Sequence, residues 1–149
     1  MDLDLADDPV TDAITSFSGE FSFLSNMHPT DGIVYVSVTY PTVEHAYVAA
    51  KTTDPELRRQ VLEIANPRMA KKFGRTFDLR PGWEEMKLSL MNDFVRQKFN
   101  SSLKHKLLST NSRWLIEGNW WGDRFWGVCK GVGLNHLGHI LMTVREELR

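Results

Sequence analysis

A chain of 149 residues is long enough to bury a hydrophobic core without disulfides or metal ions, and we expect it to form one domain. Its 42% hydrophobic and 25% charged residues are typical of a soluble globular protein, and no uncharged run is long enough for a membrane-spanning helix, so no membrane partner is expected. The single cysteine, Cys129, excludes an internal disulfide and is typical of a reducing cytosol, which favours a cytoplasmic location.

The net charge of -1 is distributed unevenly. The first twelve residues carry five aspartates and no basic residue, so the rest of the chain has 18 basic against 14 acidic residues, a net charge of +4. A mildly basic body suits a phosphate-bearing ligand but does not predict tight nucleic-acid binding, and an ordinary mixed surface explains it as well. Residues 1–14 are acidic and lack a sustained period, so we expect a flexible tail there and a single domain over residues 15–149.

The first part of the domain is predicted to contain two antiparallel strands. Three phenylalanines spaced by serine and glycine favour a short strand in residues 14–24, and Ile33–Tyr40 has the strongest strand pattern in the sequence. The chain then enters a helix. Pro41 and Thr42 suit its first positions, and the alanines that follow favour helix up to Lys51.

Four more helices are predicted in the middle of the chain, each introduced by a capping residue or a proline. Their predicted starts are Asp54, Asn66, Pro81 or Gly82, and Ser101 or Ser102. The second of them is expected to end at Gly74 and the third at about Phe99. The third helix is expected to bury Trp83, Met86, Leu90 and Phe94.

Two short strands and a final helix complete the predicted elements. Trp114–Glu117 and Phe125–Val128 have strand patterns, and Asn135 suits the cap of a last helix. The apolar residues of that helix, spaced at i, i+4, i+7 and i+11, are Leu137, Leu141, Val144 and Leu148. The predicted fold class is therefore α+β, mainly α-helical, with helices packed around a small antiparallel sheet.

Two charged residues of the first predicted helix share one face. Glu44 and Lys51 are seven residues apart and nearly eclipsed at ~100° per residue, with Val48 between them. Their backbones lie ~10.5 Å apart, so both side chains could reach one small ligand. A carboxylate and an amine held in this way can share proton transfer and nucleophilic attack, although two unrelated charges on a solvated face explain the same spacing.

A basic cluster surrounds the short helix that ends at Gly74. Its members are Arg68, Lys71, Lys72, Arg75 and Arg80. Such a group could hold a phosphate or pyrophosphate, and Lys71 and Arg75 are our candidate binding residues, although basic runs also occur on solvated faces.

An aromatic cluster surrounds one aspartate near the end of the chain. The seven residues around Asp123 contain four aromatic residues, which are Trp120, Trp121, Phe125 and Trp126. Aromatic faces can stack a nucleobase while a nearby carboxylate stabilises positive charge that grows on a sugar. Trp126 is our candidate for stacking, and at least two of these rings could belong to the core.

A glycine turn precedes the last predicted helix. Gly131 and Gly133 would let a ligand approach the backbone, and free amides at a helix start attract anions, although a plain helix-entry loop has the same pattern. Asn135 is a candidate for holding ribose or phosphate. His136 and His139 have helical spacing but no third metal ligand beside them, so no metal site is predicted.

Taken together, these segments resemble the NADAR family, also called the YbiA-like family, from about Phe17 to Arg149. The resemblance is carried by Phe23–Asn26, Tyr40–His45 with Lys51, Ala70–Lys71, Gly74–Arg75, Trp83, Lys87, Met91, Lys98–Phe99, Asp123–Gly127, Gly131–Gly138, Leu141–Met142 and Arg145. Val48 stands where many relatives carry glutamine, and Val128–Lys130 replaces a run richer in glycine and aspartate. These departures bear on the identity of the substrate more than on the reaction class.

The resemblance implies an N-glycosidase that cuts the bond between a ribose anomeric carbon and a base nitrogen. Family members are linked to ribosylamino-pyrimidine phosphates of riboflavin synthesis, and others to the removal of ADP-ribose from guanine in DNA or RNA. The predicted partner is therefore a substrate that carries ribose phosphate or ADP-ribose, with ADP-ribosylated nucleic acid among the candidates. No cofactor is predicted.

The catalytic hypothesis gives each candidate residue a role. Glu44 handles proton transfer, and Asp123 orients the ribose hydroxyls or stabilises the cation. Lys51 forms a Schiff base with the opened sugar, as the resemblance also suggests, and Asn26 belongs to the substrate-binding residues of the resembling motif. The alternative is a non-catalytic module that binds ADP-ribose or a nucleotide, which has no use for Glu44 and Lys51 on one stripe.

Overall fold

The computed structural model describes residues 12–149, which fall into two compact units. The internal unit is the chain from Asn26 to Ser102, and the terminal unit combines the chain up to Ser25 with the segment from Leu103 to Arg149. Most of the predicted acidic tail lies outside the described residues. The described chain is mostly helical with one small antiparallel sheet, which confirms the predicted fold class.

The internal unit is built around one short helix. It contains the strands β1 (Ile33–Tyr35) and β2 (Val38–Tyr40) and the helices α1 (Val43–Ala50), α2 (Pro55–Glu63), α3 (Pro67–Gly74) and α4 (Trp83–Phe99). Helix α1 packs against the other three helices and against both strands. All of its residues are buried except Glu44, which is half-buried.

Capping side chains start three of these helices where the sequence predicts them. The hydroxyl of Thr42 accepts a hydrogen bond from the backbone N–H of His45 at 3.0 Å in the first turn of α1. Asp54 and Asn66 cap α2 and α3 in the same way, and each is followed by proline at the first helical position. The three predicted starts are therefore confirmed.

Helix α4 ends at Phe99 as predicted and begins at Trp83, one residue after the predicted Gly82, and part of its buried face differs from the prediction. Trp83 and Phe94 are buried as expected. Met86 and Leu90 are only half-buried, and Met91 and Val95, one position further along, lie in the core instead. Lys98 is buried with them.

The prediction of one long strand over Ile33–Tyr40 is wrong. Val36 and Ser37 have φ angles of 48° and 63°, the left-handed geometry of a two-residue hairpin turn, and they separate β1 from β2. The antiparallel partner of β1 is therefore β2. The proposed partner strand in residues 14–24 is also wrong, because Gly19–Leu24 forms a 3₁₀ helix.

A side chain covers the outer edge of β1. Val34 stands opposite Thr39 at a non-hydrogen-bonded position of the ladder, so its N–H and C=O point away from β2. Gln97 of α4 binds both groups: its Oε1 accepts from the Val34 N–H at 2.7 Å, and its Nε2 donates to the Val34 oxygen at 2.9 Å.

The terminal unit contains short elements and one long helix. They are the 3₁₀ helix, α5 (Lys104–Leu108), β3 (Gly118–Asn119), β4 (Val128–Cys129) and α6 (His136–Glu147). Strands β3 and β4 pair in parallel, with Gly118 opposite Val128 and Asn119 opposite Cys129. The predicted strands Trp114–Glu117 and Phe125–Val128 are therefore misplaced. In the first of them, Leu115 makes only an isolated bridge with Ile14.

The predicted start of α5 is wrong. Leu103 precedes this helix without a side-chain cap. Ser101 donates to the backbone oxygen of Lys98 instead, and Ser102 donates to the Asp31 carboxylate at 3.0 Å. The two serines have these partners close by, which is why neither serves as a cap.

Helix α6 buries the stripe that its sequence predicts. Leu137, Leu141 and Val144 are buried, and Leu148 is half-buried at the C-terminal cap. Cys129 is buried and its thiol is free. Among residues 12–149, none of the helices combines the length and the apolar character that crossing a bilayer requires.

Candidate active site

The amine of Lys51 lies half-buried at the end of α1. Lys51 is the C-terminal cap residue of this helix, and its Nζ lies 5.3 Å from the centroid of the Tyr47 ring. Tyr47 in turn packs edge-on against Trp83 at 5.1 Å between ring centroids. Burial disfavours the ammonium form and lowers the pKa of Lys51 below its ordinary value of 10.5.

Charged groups from three helices act on the Lys51 amine. The Glu44 carboxylate raises the pKa of Lys51 and so partly opposes the effect of burial. The positive charges of Lys71 and Arg75 lower it, and so does Lys87 of α4, which also forms an ion pair with Glu84. The structure therefore brings together four of the residues that the sequence singles out as site candidates. Lys87 also acts on the amine and was expected here only as one of the residues of the family resemblance.

Glu44 and Asn26 meet at the other end of α1. Glu44 lies in the first turn, where the helix dipole favours negative charge, and its backbone N–H donates to the Asn26 oxygen at 3.1 Å. The side-chain amide of Asn26 lies 3.6 Å from the sulfur of Met91. The predicted substrate-binding residue Asn26 is therefore fixed next to the backbone of the predicted proton-transfer residue.

Arg58 of α2 binds carbonyl groups at the C-terminal end of α1. Its Nε donates to the oxygen of Ala49 at 3.1 Å and to that of Thr52 at 2.9 Å. Its guanidinium carbon lies 5.0 Å from the centroid of the Tyr35 ring. The last carbonyl groups of a helix need such partners, and Arg58 fixes the segment that carries Lys51.

Arg80 binds the same segment from the loop between α3 and α4. Its Nη1 donates to the Ala50 oxygen at 3.4 Å and to the Tyr35 hydroxyl at 2.9 Å, and its backbone N–H donates to the Lys51 oxygen at 2.9 Å. Arg80 is predicted to belong to a phosphate-holding cluster. Its guanidinium is instead engaged inside the internal unit, whereas Arg68, Lys72 and Arg75 are exposed.

In the terminal unit, the Asp123 carboxylate closes a tight turn. Its Oδ1 accepts from the backbone N–H groups of Phe125 at 3.1 Å and Trp126 at 2.9 Å. The Asp123 N–H donates to the side-chain oxygen of Asn119 at 3.0 Å. These bonds give Asp123 a structural role, and its action on the sugar stays a prediction.

The Trp126 ring is half-buried beside other rings. Its centroid lies 4.8 Å from that of Phe125 and 6.4 Å from that of His136. Trp120, by contrast, is 85% exposed. Base stacking by Trp126 stays a prediction. No three His, Cys, Asp or Glu side chains within residues 12–149 gather in a way that could hold a metal ion.

The backbone amides at the start of α6 already have partners. The N–H groups of residues 134–137 donate to carbonyl oxygens of residues 124–127 at 2.8 to 3.2 Å. This corrects the expectation that free amides at this helix start attract an anion. Gly133 serves the close approach of these two segments, because a Cβ there would lie 2.1 Å from the Gly127 oxygen. Gly131 is exposed, with φ of +76°, and its contact with substrate stays a prediction.

Asn135 is buried and ties two segments of the terminal unit together. Its side-chain oxygen accepts from the Glu117 N–H, and its side-chain nitrogen donates to the Leu115 oxygen, both at 3.0 Å. Asn135 itself has φ of +53° and makes no side-chain cap bond to α6. A contact between Asn135 and substrate stays a prediction that these bonds do not require.

Comparison with known proteins gives consistent matches. The family model described as the NADAR domain matches residues 12–149. The chain is 36% identical to the N-glycosidase YbiA of Escherichia coli (strain K12) over 115 residues, which is 74% of this chain and 71% of that protein. It is 36% identical to an N-glycosidase of Nostoc punctiforme over 137 residues, 87% of this chain and 86% of that protein.

Two further similarities extend these matches. A riboflavin biosynthesis protein of Vibrio vulnificus is 37% identical over 132 residues, 85% of this chain, but the chain spans only 35% of that relative. The NMR structure of the E. coli protein YbiA matches with a TM-score of 0.77 at 33% identity and covers 92% of this chain and 85% of its own.

Proposed function

Because the chain belongs to the NADAR family, we propose that it hydrolyses the bond between a ribose and a base nitrogen, with Glu44 and Lys51 as catalytic residues. Relatives that match over most of their own length are named N-glycosidases, so the enzyme class is N-glycosyl hydrolase. The observation that carries the residue assignment is the half-buried Lys51 amine, whose pKa is lowered by burial and which interacts with the Glu44 carboxylate. A neutral amine is the nucleophilic form that covalent catalysis needs.

The proposed reaction proceeds through a Schiff base. The Lys51 nitrogen attacks the anomeric carbon of the ring-opened sugar and a new carbon–nitrogen bond forms. The bond to the base nitrogen breaks as the Glu44 carboxylate passes to that nitrogen the protons that the Lys51 nitrogen releases. Water then adds to the Schiff base with the Glu44 carboxylate as general base. This step releases the sugar and restores the neutral amine. One water molecule is consumed in total, and no electrons are transferred to an acceptor.

The proposed substrate carries phosphate as well as ribose. Lys71 and Arg75 stand close enough to Lys51 to influence its ionisation, and cationic side chains of this kind bind phosphate oxygens. We consider two substrates: a ribosylamino-pyrimidine phosphate, which the name of the Vibrio relative supports, and ADP-ribosylated guanine in DNA or RNA. The half-buried Lys71 of α3 and the exposed Arg75 after it suit either one.

The decisive experiment measures released base by liquid chromatography. The protein is incubated with a ribosylamino-pyrimidine phosphate and, separately, with an oligonucleotide that carries ADP-ribosylated guanine. Glu44→Gln is expected to lower kcat by ~10²–10⁴-fold without a change in melting temperature, because it removes the proton-transfer group. Glu56→Gln, on the exposed face of α2, is the matched control and is expected to retain full activity.

Borohydride trapping tests the covalent step separately. Reduction during turnover is expected to fix the sugar on the wild-type protein and not on Lys51→Ala. A sugar still trapped on Lys51→Ala would show that Lys51 is not the nucleophile. Tight binding of either substrate without release of base would instead favour the non-catalytic module that binds ADP-ribose or a nucleotide.

A further inference from the structure

We propose that Arg58 and Arg80 are positioning residues for Lys51. The two arginines bind the C-terminal end of α1 and keep its carbonyl groups from stabilising the Lys51 ammonium. This inference rests on the proposed catalytic role of Lys51. It goes beyond that role because neither arginine belongs to the residues assigned to catalysis or to substrate binding.

Both arginines form hydrogen bonds with the C-terminal end of α1. The four consecutive carbonyl groups of residues 49–52 all accept hydrogen bonds from this arginine pair, two from the Arg58 side chain, one from the Arg80 side chain and one from the Arg80 backbone. Lys51 lies inside this segment as the cap residue. Its backbone therefore cannot turn without breaking contacts to two different elements, which fixes the point on the chain from which the Lys51 side chain reaches the ring of Tyr47.

The two guanidinium groups also act on the charge at this helix end. The C-terminal end of a helix carries partial negative charge and stabilises a nearby cation, so a lysine at this position should keep its proton more firmly. The two guanidinium groups direct positive charge at three of those carbonyl oxygens, those of residues 49, 50 and 52, and offset the effect. The remaining charged groups around Lys51 are the carboxylate of Glu44 and three cations, which are Lys71, Arg75 and Lys87. The balance leaves the neutral amine accessible at a lower pH than for an exposed lysine.

Tyr35 joins the two arginines. The Arg58 guanidinium lies over its ring, and its hydroxyl accepts from Arg80. The ring is held edge-on against Phe94 of α4 at 5.6 Å between centroids. Because one tyrosine orients both guanidinium groups, removal of its hydroxyl is a mild way to loosen Arg80 while Arg58 keeps its contacts.

The test follows the ionisation of Lys51 without relying on activity. The full chain is labelled with an amine-reactive anhydride between pH 6 and 11, and mass spectrometry gives the extent of labelling at Lys51. In Arg58→Lys and Arg80→Lys the midpoint of labelling is expected to rise by about 0.5–1 pH unit, because the shorter lysine side chain no longer places its positive charge at these carbonyl oxygens. The corresponding kcat at pH 7 falls by about 3- to 10-fold with KM within about twofold.

The control is Arg59→Lys, which alters the neighbouring arginine of α2. Arg59 is exposed and pairs with Glu56 and Glu63 on its own helix. The labelling midpoint of Lys51 in Arg59→Lys is therefore expected to equal that of the wild type. An unchanged Lys51 midpoint in folded Arg58→Lys and Arg80→Lys would overturn the proposal. If both variants fail to fold, Tyr35→Phe decides by the same criterion. If Lys51→Ala keeps its activity while the midpoints shift, the proposed function fails and the positioning stands.

Discussion

Replacement of Lys98 by methionine is expected to stabilise the protein at neutral pH. Lys98 in α4 is only 1% exposed, and its Nζ lies 5.1 Å from the centroid of the Phe99 ring. Burial lowers the pKa of this amine from 10.5 to about 7. Methionine has a similar length and no charge, so it can fill the same space without the cost of desolvating an ammonium group.

The size of the effect follows from the pKa of Lys98. Between pH 7 and 10.5 the unfolded chain holds a proton that the folded protein has released, so the free energy of unfolding rises with pH. Each pKa unit corresponds to ~1.4 kcal/mol, so the charged amine costs the folded state at most ~4–5 kcal/mol below pH 7. This cost falls by ~2 kcal/mol between pH 7 and 9 and disappears when lysine is neutral in both states.

Urea unfolding at 25 °C provides the measurement. Wild type and Lys98→Met are compared at pH 7 and at pH 9, with Lys104→Met, which alters an exposed lysine, as the control. At pH 7, Lys98→Met is expected to be more stable by ~1–4 kcal/mol, and its advantage is expected to shrink by ~2 kcal/mol at pH 9 with the slope against urea unchanged. An advantage of the same size at both pH values, or none at pH 7, would refute the reasoning.

In urea unfolding, Gly133→Ala is expected to lower the free energy of unfolding by more than ~2 kcal/mol, because its Cβ would lie 2.1 Å from the Gly127 oxygen. In Gly131→Ala the Cβ meets nothing within 4 Å, and the free energy of unfolding is expected to fall by only ~1 kcal/mol. Asp123→Asn keeps the oxygen that closes the turn, so the melting temperature of the variant is expected to equal that of the wild type. A fall in its kcat of ~10-fold or more would show that the carboxylate charge contributes to catalysis. Thr42→Ala should cost ~1–2 kcal/mol in urea unfolding, and Thr42→Ser should restore it.

The helices of the internal unit could be predicted because their signals are local. Asp54 and Asn66 each accept a hydrogen bond from a backbone N–H only two residues further along the chain. Each is followed directly by a proline, which suits the first helical position. The hairpin could not be predicted in this way. Its turn is made by Val36 and Ser37, and valine is rare at positive φ, so the sequence continued to favour a strand through the turn.

The short strands of the terminal unit were missed for a related reason. Strands β3 and β4 have two residues each and pair in parallel, so no alternation of polar and apolar residues marks them. The position of Gly118 depends on a backbone approach that would place a Cβ 2.1 Å from the Thr15 oxygen. A sequence pattern does not encode a contact between segments a hundred residues apart.

The candidate site likewise contains residues that a local sequence pattern predicts and residues whose positions depend on contacts between elements. Helical periodicity alone placed Glu44 and Lys51 on one stripe, and the electrostatic interaction between them agrees with that placement. Arg58 and Arg80 gain their roles from carbonyl groups of a different element, and their residue type gave no signal of these partners. The family resemblance includes Lys87, but its position near Lys51 depends on the packing of α4 against α1, which the sequence pattern does not show.

The amide of Gln97 on the outer edge of β1 has a consequence for self-association. An uncovered strand edge is a template on which strands of other molecules can add, and this is a common route to aggregation. In β1 a single side chain satisfies both the donor and the acceptor that Val34 would offer to such a strand. Because β1 has three residues and the outward backbone groups of Val34 are bound by Gln97, the outer edge of β1 offers an incoming strand almost no free backbone groups.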